Sequence, residues 1–236
     1  MKKLLIFLAF LLCNLAFAEK AEIKFIAEDG TATSVFFEKE ESCIVIDAKK
    51  FPTKKLDSIT GFENFPNLDS LTFYFLRYTG DYDFLAKIPR LKELGLIGCY
   101  VSSLNFIENI YNLETIELEL TADINNFDKL QNTEINLKKL IKLQKIFVTN
   151  LNFGNIANKE IWNYKQLSKL NFIPKFINVQ NKPELSLTNN KIETLTKKEI
   201  KLLRQFSTVD LSFNPIAKNK QELERLKKAK INFEAY

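Results

Sequence analysis

One pattern of apolar residues recurs along this chain at nearly constant spacing, and it constrains the fold more than any other feature. It is clearest from Leu91 to Val101, as L-x-x-L-x-L-x-x-C-x-V, and from Phe206 to Ile216, as F-x-x-V-x-L-x-x-N-x-I. The alternation at positions 4 and 6 of each copy predicts a short strand with one apolar side. Because so short a unit cannot bury that side alone, neighbouring copies must stack into a curved solenoid with one continuous core.

About seven copies can be aligned, and a weaker copy around Ile44 and Ile46 precedes them. The copies begin at Leu68, Leu91, Leu113, Leu143, Leu167, Lys182 and Phe206. Apolar residues also recur six and three positions before each start, as at Phe62 and Phe65, a spacing typical of a helical turn. The fold class is therefore α/β: a right-handed solenoid of strands and helical or 3₁₀ turns, with a curved parallel sheet.

Two intervals between copies depart from the usual 20–29 residues. The interval from Leu113 to Leu143 is 30 residues and predicts a longer helix or loop between Leu120 and Leu137. The interval from Leu167 to Lys182 is only 15 residues, which is too short for a full turn of the solenoid. Either the Leu167 copy is a distorted repeat, the alternative slightly favoured, or it belongs to an irregular insertion and the strand stack passes from Val148 to Leu187.

Both ends of the repeat array carry residues suited to capping it. Strand-like runs on either side of Asp29-Gly30 predict a β-hairpin cap, and Gln221 to Lys230 predicts a helix followed by one edge strand at Ile231 and Phe233. Both ends therefore look closed, as in a complete solenoid. The predicted organisation is a signal peptide at 1–18, an N-terminal cap at 19–55, repeats at 56–217 and a C-terminal cap at 218–236.

The first eighteen residues have the order of a secretory signal peptide: Lys2 and Lys3, an apolar run, then Ala16-Phe17-Ala18. The chain is predicted to be exported to the periplasm, the cell surface or the medium, with no membrane span after cleavage. A retained anchor is an alternative, although the run is shorter than the roughly 20 residues needed to cross a bilayer. Lipidation at Cys13 is a second alternative, for which Leu12 is a poor preceding residue.

Charge and composition exclude several classes of function. The formal net charge is +5, without a basic stripe, so nucleic-acid binding has little support. The chain has no histidine, which excludes Ser-His-Asp and Cys-His catalysis, and no phosphate-binding loop or Cys-x-x-Cys pair is present. No cofactor and no enzymatic activity are therefore predicted. Cys43 and Cys99 could pair in an oxidising compartment, but two unpaired cysteines are the favoured reading because Cys99 lies at position 9, usually a buried site.

The copies at Leu91, Lys182 and Phe206, with the segment from Leu185 to Ile192, resemble the bacterial leucine-rich repeat family, including secreted and surface-attached members of the internalin-like type. The resemblance covers roughly Leu56 to Ile216 and implies a protein-binding module at the cell surface or against host proteins. The chain departs from the family pattern at position 9 of the middle copies, where the usual asparagine is replaced by Thr121, Leu151 and Lys175.

Positions 3, 5, 7 and 8 of each copy point onto the concave side of the sheet, where a partner would bind. The first four copies place an aromatic and acidic group there, whereas the last two copies are small and polar. Exposed aromatic residues dominate protein interfaces, although a cap, the 30-residue interval or self-association could instead cover them. The candidate partner-binding residues are Tyr74, Phe75, Ile97, Glu117, Glu119 and Phe147.

The leading interpretation is a non-enzymatic module that binds a host or envelope protein through this surface. Two alternatives remain open. The chain could be an envelope scaffold that self-associates through a solenoid edge or cap. It could also bind or hydrolyse carbohydrate through Glu117 and Glu119, which lie two apart on one strand, although a solvated acidic patch explains this pair more simply.

Overall fold

The computed structural model describes residues 19–51, 55–78, 80–101, 105–120, 140–148, 182–190 and 192–236. The predicted signal peptide therefore lies outside the described residues, and so do Thr121, Leu151 and Lys175. The strands are β1 (Lys20–Ala27), β2 (Ala32–Glu38), β3 (Cys43–Asp47), β4 (Leu56–Thr60), β5 (Ser70–Tyr74), β6 (Glu93–Cys99), β7 (Thr115–Leu120), β8 (Lys145–Val148), β9 (Glu184–Ser186), β10 (Val209–Asp210) and β11 (Phe233–Glu234). The two α-helices of these ranges are α1 (Lys197–Leu203) and α2 (Lys220–Lys228).

Eight strands form one open parallel sheet in the order β3-β5-β6-β7-β8-β9-β10-β11. Its register aligns position 4 of successive copies, so that each apolar residue pairs with its equivalent on the next strand. The aligned residues are Ile44, Leu71, Leu94, Ile116, Ile146, Leu185 and Val209. All of them are buried, with at most 4% of their surface exposed. The leucine-rich repeat solenoid predicted by the spacing is therefore the fold of this chain.

The return segments are mostly short 3₁₀ helices, as the second apolar register predicts. They run over Phe62–Asn64, Asp83–Lys87, Asn105–Asn109 and Pro215–Lys218, while α1 performs the same role before β10. Phe62, Leu85 and Ile107 point from these segments into the core. Each such side chain contributes on the order of 1.5–3 kcal/mol by its burial, so the core runs continuously between the sheet and the return segments.

The N-terminal end is closed by the predicted hairpin. β1 and β2 pair antiparallel around the Asp29-Gly30 turn, and β4 joins the other side of β1 to form a three-stranded sheet. The hairpin packs on the repeats through phenylalanines such as Phe37 and Phe65, whose ring centroids are 6.3 Å apart. Cap and repeats interleave here, because β3 precedes β4 in the chain yet belongs to the repeat sheet. The weak copy at Ile44 and Ile46 is thus confirmed as the first rung, whereas the domain boundaries stay a prediction.

At the other end, α2 and β11 follow the last repeat, in agreement with the predicted helix and edge strand. The Asn219 side chain accepts a hydrogen bond from the Glu222 backbone and begins α2. Leu226 of this helix is fully buried. Beyond it, β11 pairs in parallel with β10 and covers the outer side of that strand. The described residues contain no helix long and apolar enough to cross a membrane.

The favoured interpretation of the 15-residue interval is wrong, because β8 pairs directly with β9. Ile146 lies opposite Leu185, and the Lys145 Nζ is 3.8 Å from a Glu184 carboxylate oxygen. The strand stack passes from β8 to β9, as the alternative predicts, whereas the irregular insertion itself lies outside the described residues. The segment from 121 to 139 within the 30-residue interval lies outside them too.

Asparagine side chains at position 9 form hydrogen bonds between neighbouring repeats in the interior of the solenoid. The Asn190 side-chain amide donates to the carbonyls of Val148 and Leu187, both at 2.8 Å. The amide of Asn214 donates to Leu187 at 2.8 Å and to Leu211 at 2.9 Å. Each asparagine therefore bonds its own repeat and the repeat before it.

Cys99 takes the place of asparagine in the Leu91 copy. It is fully buried, and its Sγ donates to the Phe73 carbonyl at 3.3 Å. Burial raises the pKa of this thiol to about 12. Cys43 lies exposed on β3, and both cysteines are free, as the favoured reading predicts.

Candidate functional site

Two rows of side chains cross the concave face, because alternate residues of every strand point to that side. We call the position-5 row and the position-7 row together the concave face. The first row contains Val45, Thr72, Gly95, Glu117, Phe147, Ser186, Asp210 and Glu234. The second row lies two residues further along each copy. Its described members are Asp47, Tyr74, Ile97, Glu119, Thr188, Ser212 and Tyr236.

The sheet brings most of the sequence-predicted residues into one group. Tyr74, Ile97 and Glu119 are consecutive in the second row, and Glu117 and Phe147 are adjacent in the first. Tyr74, Ile97 and Phe147 are half-buried, so each presents part of an apolar side chain to solvent. These five residues form one contiguous surface across β5, β6, β7 and β8, which we call the N-terminal patch.

Phe75 borders this patch but lies just beyond the end of β5. Its backbone is left-handed, with φ 57°, and 40% of the residue is exposed. The Lys49 Nζ lies 3.5 Å from the centroid of its ring, a cation–π contact. On the next strand, Gly98 leaves room for the ring, since a Cβ there would lie 2.6 Å from a Phe75 ring carbon. The Tyr74 ring, with its centroid 6.3 Å from that of Phe75, is a third neighbour, so Phe75 is held in place although it stays partly exposed.

The two glutamates of the N-terminal patch have no ion-pair partner among the described residues. Partial burial raises the pKa of Glu119, and the charge of Glu117 raises it further. Their neighbours in the rows are Gly95, Ile97 and Phe147, which supply no positive charge. An incoming cation would therefore be attracted to Glu117 and Glu119 with little competition from the protein itself.

Sequence reasoning missed two exposed residues of this face, Val45 and Tyr236, and a third beside it, Phe213. Val45 lies on the first rung and is 52% exposed, and it was overlooked because the copy around Ile44 is weak. Phe213 and Tyr236 lie at the opposite end of the face and are 73% and 80% exposed. Phe75 is predicted because it is an aromatic residue at position 8 of its copy. Phe213 is the aromatic residue at position 8 of the last copy, so the same criterion would have found it.

Comparisons with known proteins find similarity to solved structures, two internalins among them. No protein-family model matches the chain, and no curated protein matches it either. Among solved structures, the chain is similar to an internalin (inlF) from Listeria monocytogenes str. 4b F2365, with 17% identity, a TM-score of 0.40, and coverage of 85% of this chain and 58% of that one. It is also similar to internalin C2 (inlC2) from the same strain, with 19% identity, a TM-score of 0.35, and coverage of 68% and 69%.

The chain thus spans 58% of the length of the inlF structure. At these TM-scores the similarities carry no argument of their own. The assignment to a leucine-rich repeat solenoid rests on the register of the eight-stranded sheet.

Proposed function

We propose that this chain is an exported, non-enzymatic module that binds a host or envelope protein through its concave face. The observation that carries the proposal is the N-terminal patch, where apolar side chains surround two carboxylates without partners. The exposed parts of these apolar side chains contribute nothing to the core of the solenoid, whereas aromatic residues are enriched at the centres of protein interfaces. Phe75 extends the same surface at its rim.

A pair of alanine variants tests this proposal. Tyr74→Ala and Phe147→Ala are each expected to weaken binding to an identified protein partner by about fivefold or more, since truncating a central aromatic residue costs over about 1 kcal/mol. Binding is measured by isothermal titration calorimetry, and circular dichroism verifies the fold. The control is Tyr111→Ala, because Tyr111 is 55% exposed but lies in a turn before β7 and outside both rows. Unchanged affinity in both patch variants would show that the partner binds elsewhere.

The alternative functions make different predictions for the same protein. A self-associating scaffold would form oligomers as its concentration rises, which light scattering measures directly. A carbohydrate-binding or hydrolytic role would require Glu117 and Glu119, so the Glu117→Gln/Glu119→Gln variant would lose glycan binding or turnover. The partly exposed aromatic residues next to these glutamates favour the protein-binding proposal over both.

A further inference from the structure

The residue at position 8 has a left-handed backbone in four copies of the repeat. The values are 57° at Phe75, 63° at Gly98, 56° at Asn189 and 60° at Phe213. Glycine and asparagine adopt this conformation readily, but for a bulky residue such as phenylalanine it is unfavourable. Two copies therefore carry the residue type least suited to this backbone.

Phe75 recovers part of this cost through its contacts with Lys49 and Gly98. Phe213 does not, because 73% of it is exposed and no ring contact within the described residues involves it. Its backbone N–H donates to the Tyr236 carbonyl at 3.0 Å, which sets the two aromatic residues on adjacent rungs. Tyr236 is itself 80% exposed. A strained, exposed phenylalanine beside an exposed tyrosine contributes little to folding and is well placed for an interface.

The charge of the concave face indicates the chemistry of that interface. The two rows contain no lysine or arginine among their described residues, although the chain as a whole has a net charge of +5. They contain carboxylates along their whole length, at Asp47, Glu117, Glu119, Asp210 and Glu234. Position 3 faces the same side and adds one lysine among the described residues, Lys145, whose Nζ lies 3.8 Å from a Glu184 carboxylate oxygen. An acidic face on a basic chain repels nucleic acids and anionic lipids and attracts a basic protein surface.

We propose that Phe213 and Tyr236, beside Asp210 and Glu234, form a second contact site for a basic protein partner that also binds the N-terminal patch. This inference rests on the proposed function and names the partner's chemistry. The N-terminal patch ends at β8, two strand spacings of about 4.8 Å from β10, so the two sites lie roughly 10 Å apart at their nearest strands and together span roughly 29 Å from β5 to β11. That span fits within one protein interface of standard size, and the partner contacts both ends with apolar groups and the middle with lysine or arginine.

The probe for the test is a displayed library of random peptides of about 12 residues, which extended can reach about 40 Å. The library is panned on the chain from Glu19 to Tyr236. We expect the selected peptides to be enriched in lysine or arginine together with apolar residues, and to bind more weakly as salt is added. Phe213→Asn and Tyr236→Ser are each expected to reduce their affinity by about tenfold. Phe36→Asn is the matched control, since Phe36 is 59% exposed on the hairpin, away from the concave face.

Phe213→Asn separates binding from folding. Asparagine suits the left-handed backbone, as Asn189 shows at the equivalent position, so this variant should melt at the same or a higher temperature while it binds less. Selected peptides that depend on Tyr74 and Phe147 but not on Phe213 or Tyr236 would overturn the second site and leave the proposed function intact. Acidic or uncharged peptides would overturn the partner's chemistry. Peptides whose affinity is unchanged by substitutions at either site would refute the proposed function as well. If the chain forms an oligomer that Phe213→Asn dissociates, the occupant of the second site is a second copy of this chain and not a basic partner.

Discussion

At the scale of single residues, the two cysteines of the described chain differ in the property that controls their reactivity. The thiolate is the nucleophile, and burial raises the pKa of Cys99 to about 12, whereas Cys43 is exposed. Iodoacetamide at neutral pH should therefore modify Cys43 and leave Cys99 unmodified in the folded protein. Peptide mass spectrometry measures both sites, and the denatured chain, in which both should react, is the control. Equal labelling in the folded protein would contradict the buried position of Cys99.

Glu119 gives a second prediction at this scale. Burial and the charge of Glu117 raise its pKa above the ordinary 4.5, so folding favours the neutral carboxyl group. The ionised form therefore lowers stability, and this loss develops as the pH rises from the ordinary glutamate pKa through the raised one. Glu119→Gln should raise the melting temperature at pH 7, and the gain should vanish below the ordinary pKa. Scanning calorimetry across this pH range tests it, with Glu93→Gln, an exposed glutamate on β6, as the control.

At the scale of the repeat element, two glycines separate the cost of a left-handed backbone from the cost of displacing the Phe75 ring at position 8. Gly30 and Gly98 both have positive φ, but a Cβ at Gly30 meets nothing within 4 Å, whereas one at Gly98 meets the Phe75 ring at 2.6 Å. Gly30→Ala should lower the free energy of unfolding by about 1–2 kcal/mol through backbone strain alone. Gly98→Ala should lower it further, since the ring must also move.

In a Phe75→Ala background, the cost of Gly98→Ala should fall to that of Gly30→Ala. Urea denaturation of the four variants measures this coupling as a double-mutant cycle. Equal costs for the two glycines in the presence of Phe75 would show that the ring does not rest on Gly98.

The repeat elements also show what the sequence could predict and what it could not. Apolar alternation located β5 to β8 and the 3₁₀ segments because burial of a fixed side is what defines them. The same alternation contains no information on backbone handedness, so it could not predict the left-handed backbone of Phe213. It also matched the Leu167 copy locally, although strand order depends on which edges pair, a long-range choice that Ile146 and Leu185 settle. β4 pairs with the hairpin for a similar reason, since its partner lies far away in sequence.

At the scale of the whole molecule, the direct pairing of β8 with β9 can be tested by cross-linking. Lys145 and Glu184 face each other across adjacent strands. In a Cys43→Ser background, Lys145→Cys/Glu184→Cys should form a disulfide under mild oxidation, because neighbouring strands about 4.8 Å apart lie within bonding range. The control pair Thr115→Cys/Glu184→Cys flanks β8 at about twice that separation and should not bond. Non-reducing electrophoresis and peptide mapping distinguish the two pairs, and the absence of a disulfide in both would place another strand between β8 and β9.

The asparagines of position 9 have a consequence for how the solenoid comes apart. Asn190 and Asn214 each hold a carbonyl of the preceding repeat as well as one of their own. Pulling the last rung away therefore strips hydrogen bonds from the rung behind it, so the C-terminal rungs should yield to mechanical force as one block. In the Leu91 copy this role falls to the weaker thiol of Cys99. Under tension between one end of the chain and a bound partner, the rungs would then unfold at different forces. The rungs next to Phe213 would need the highest force.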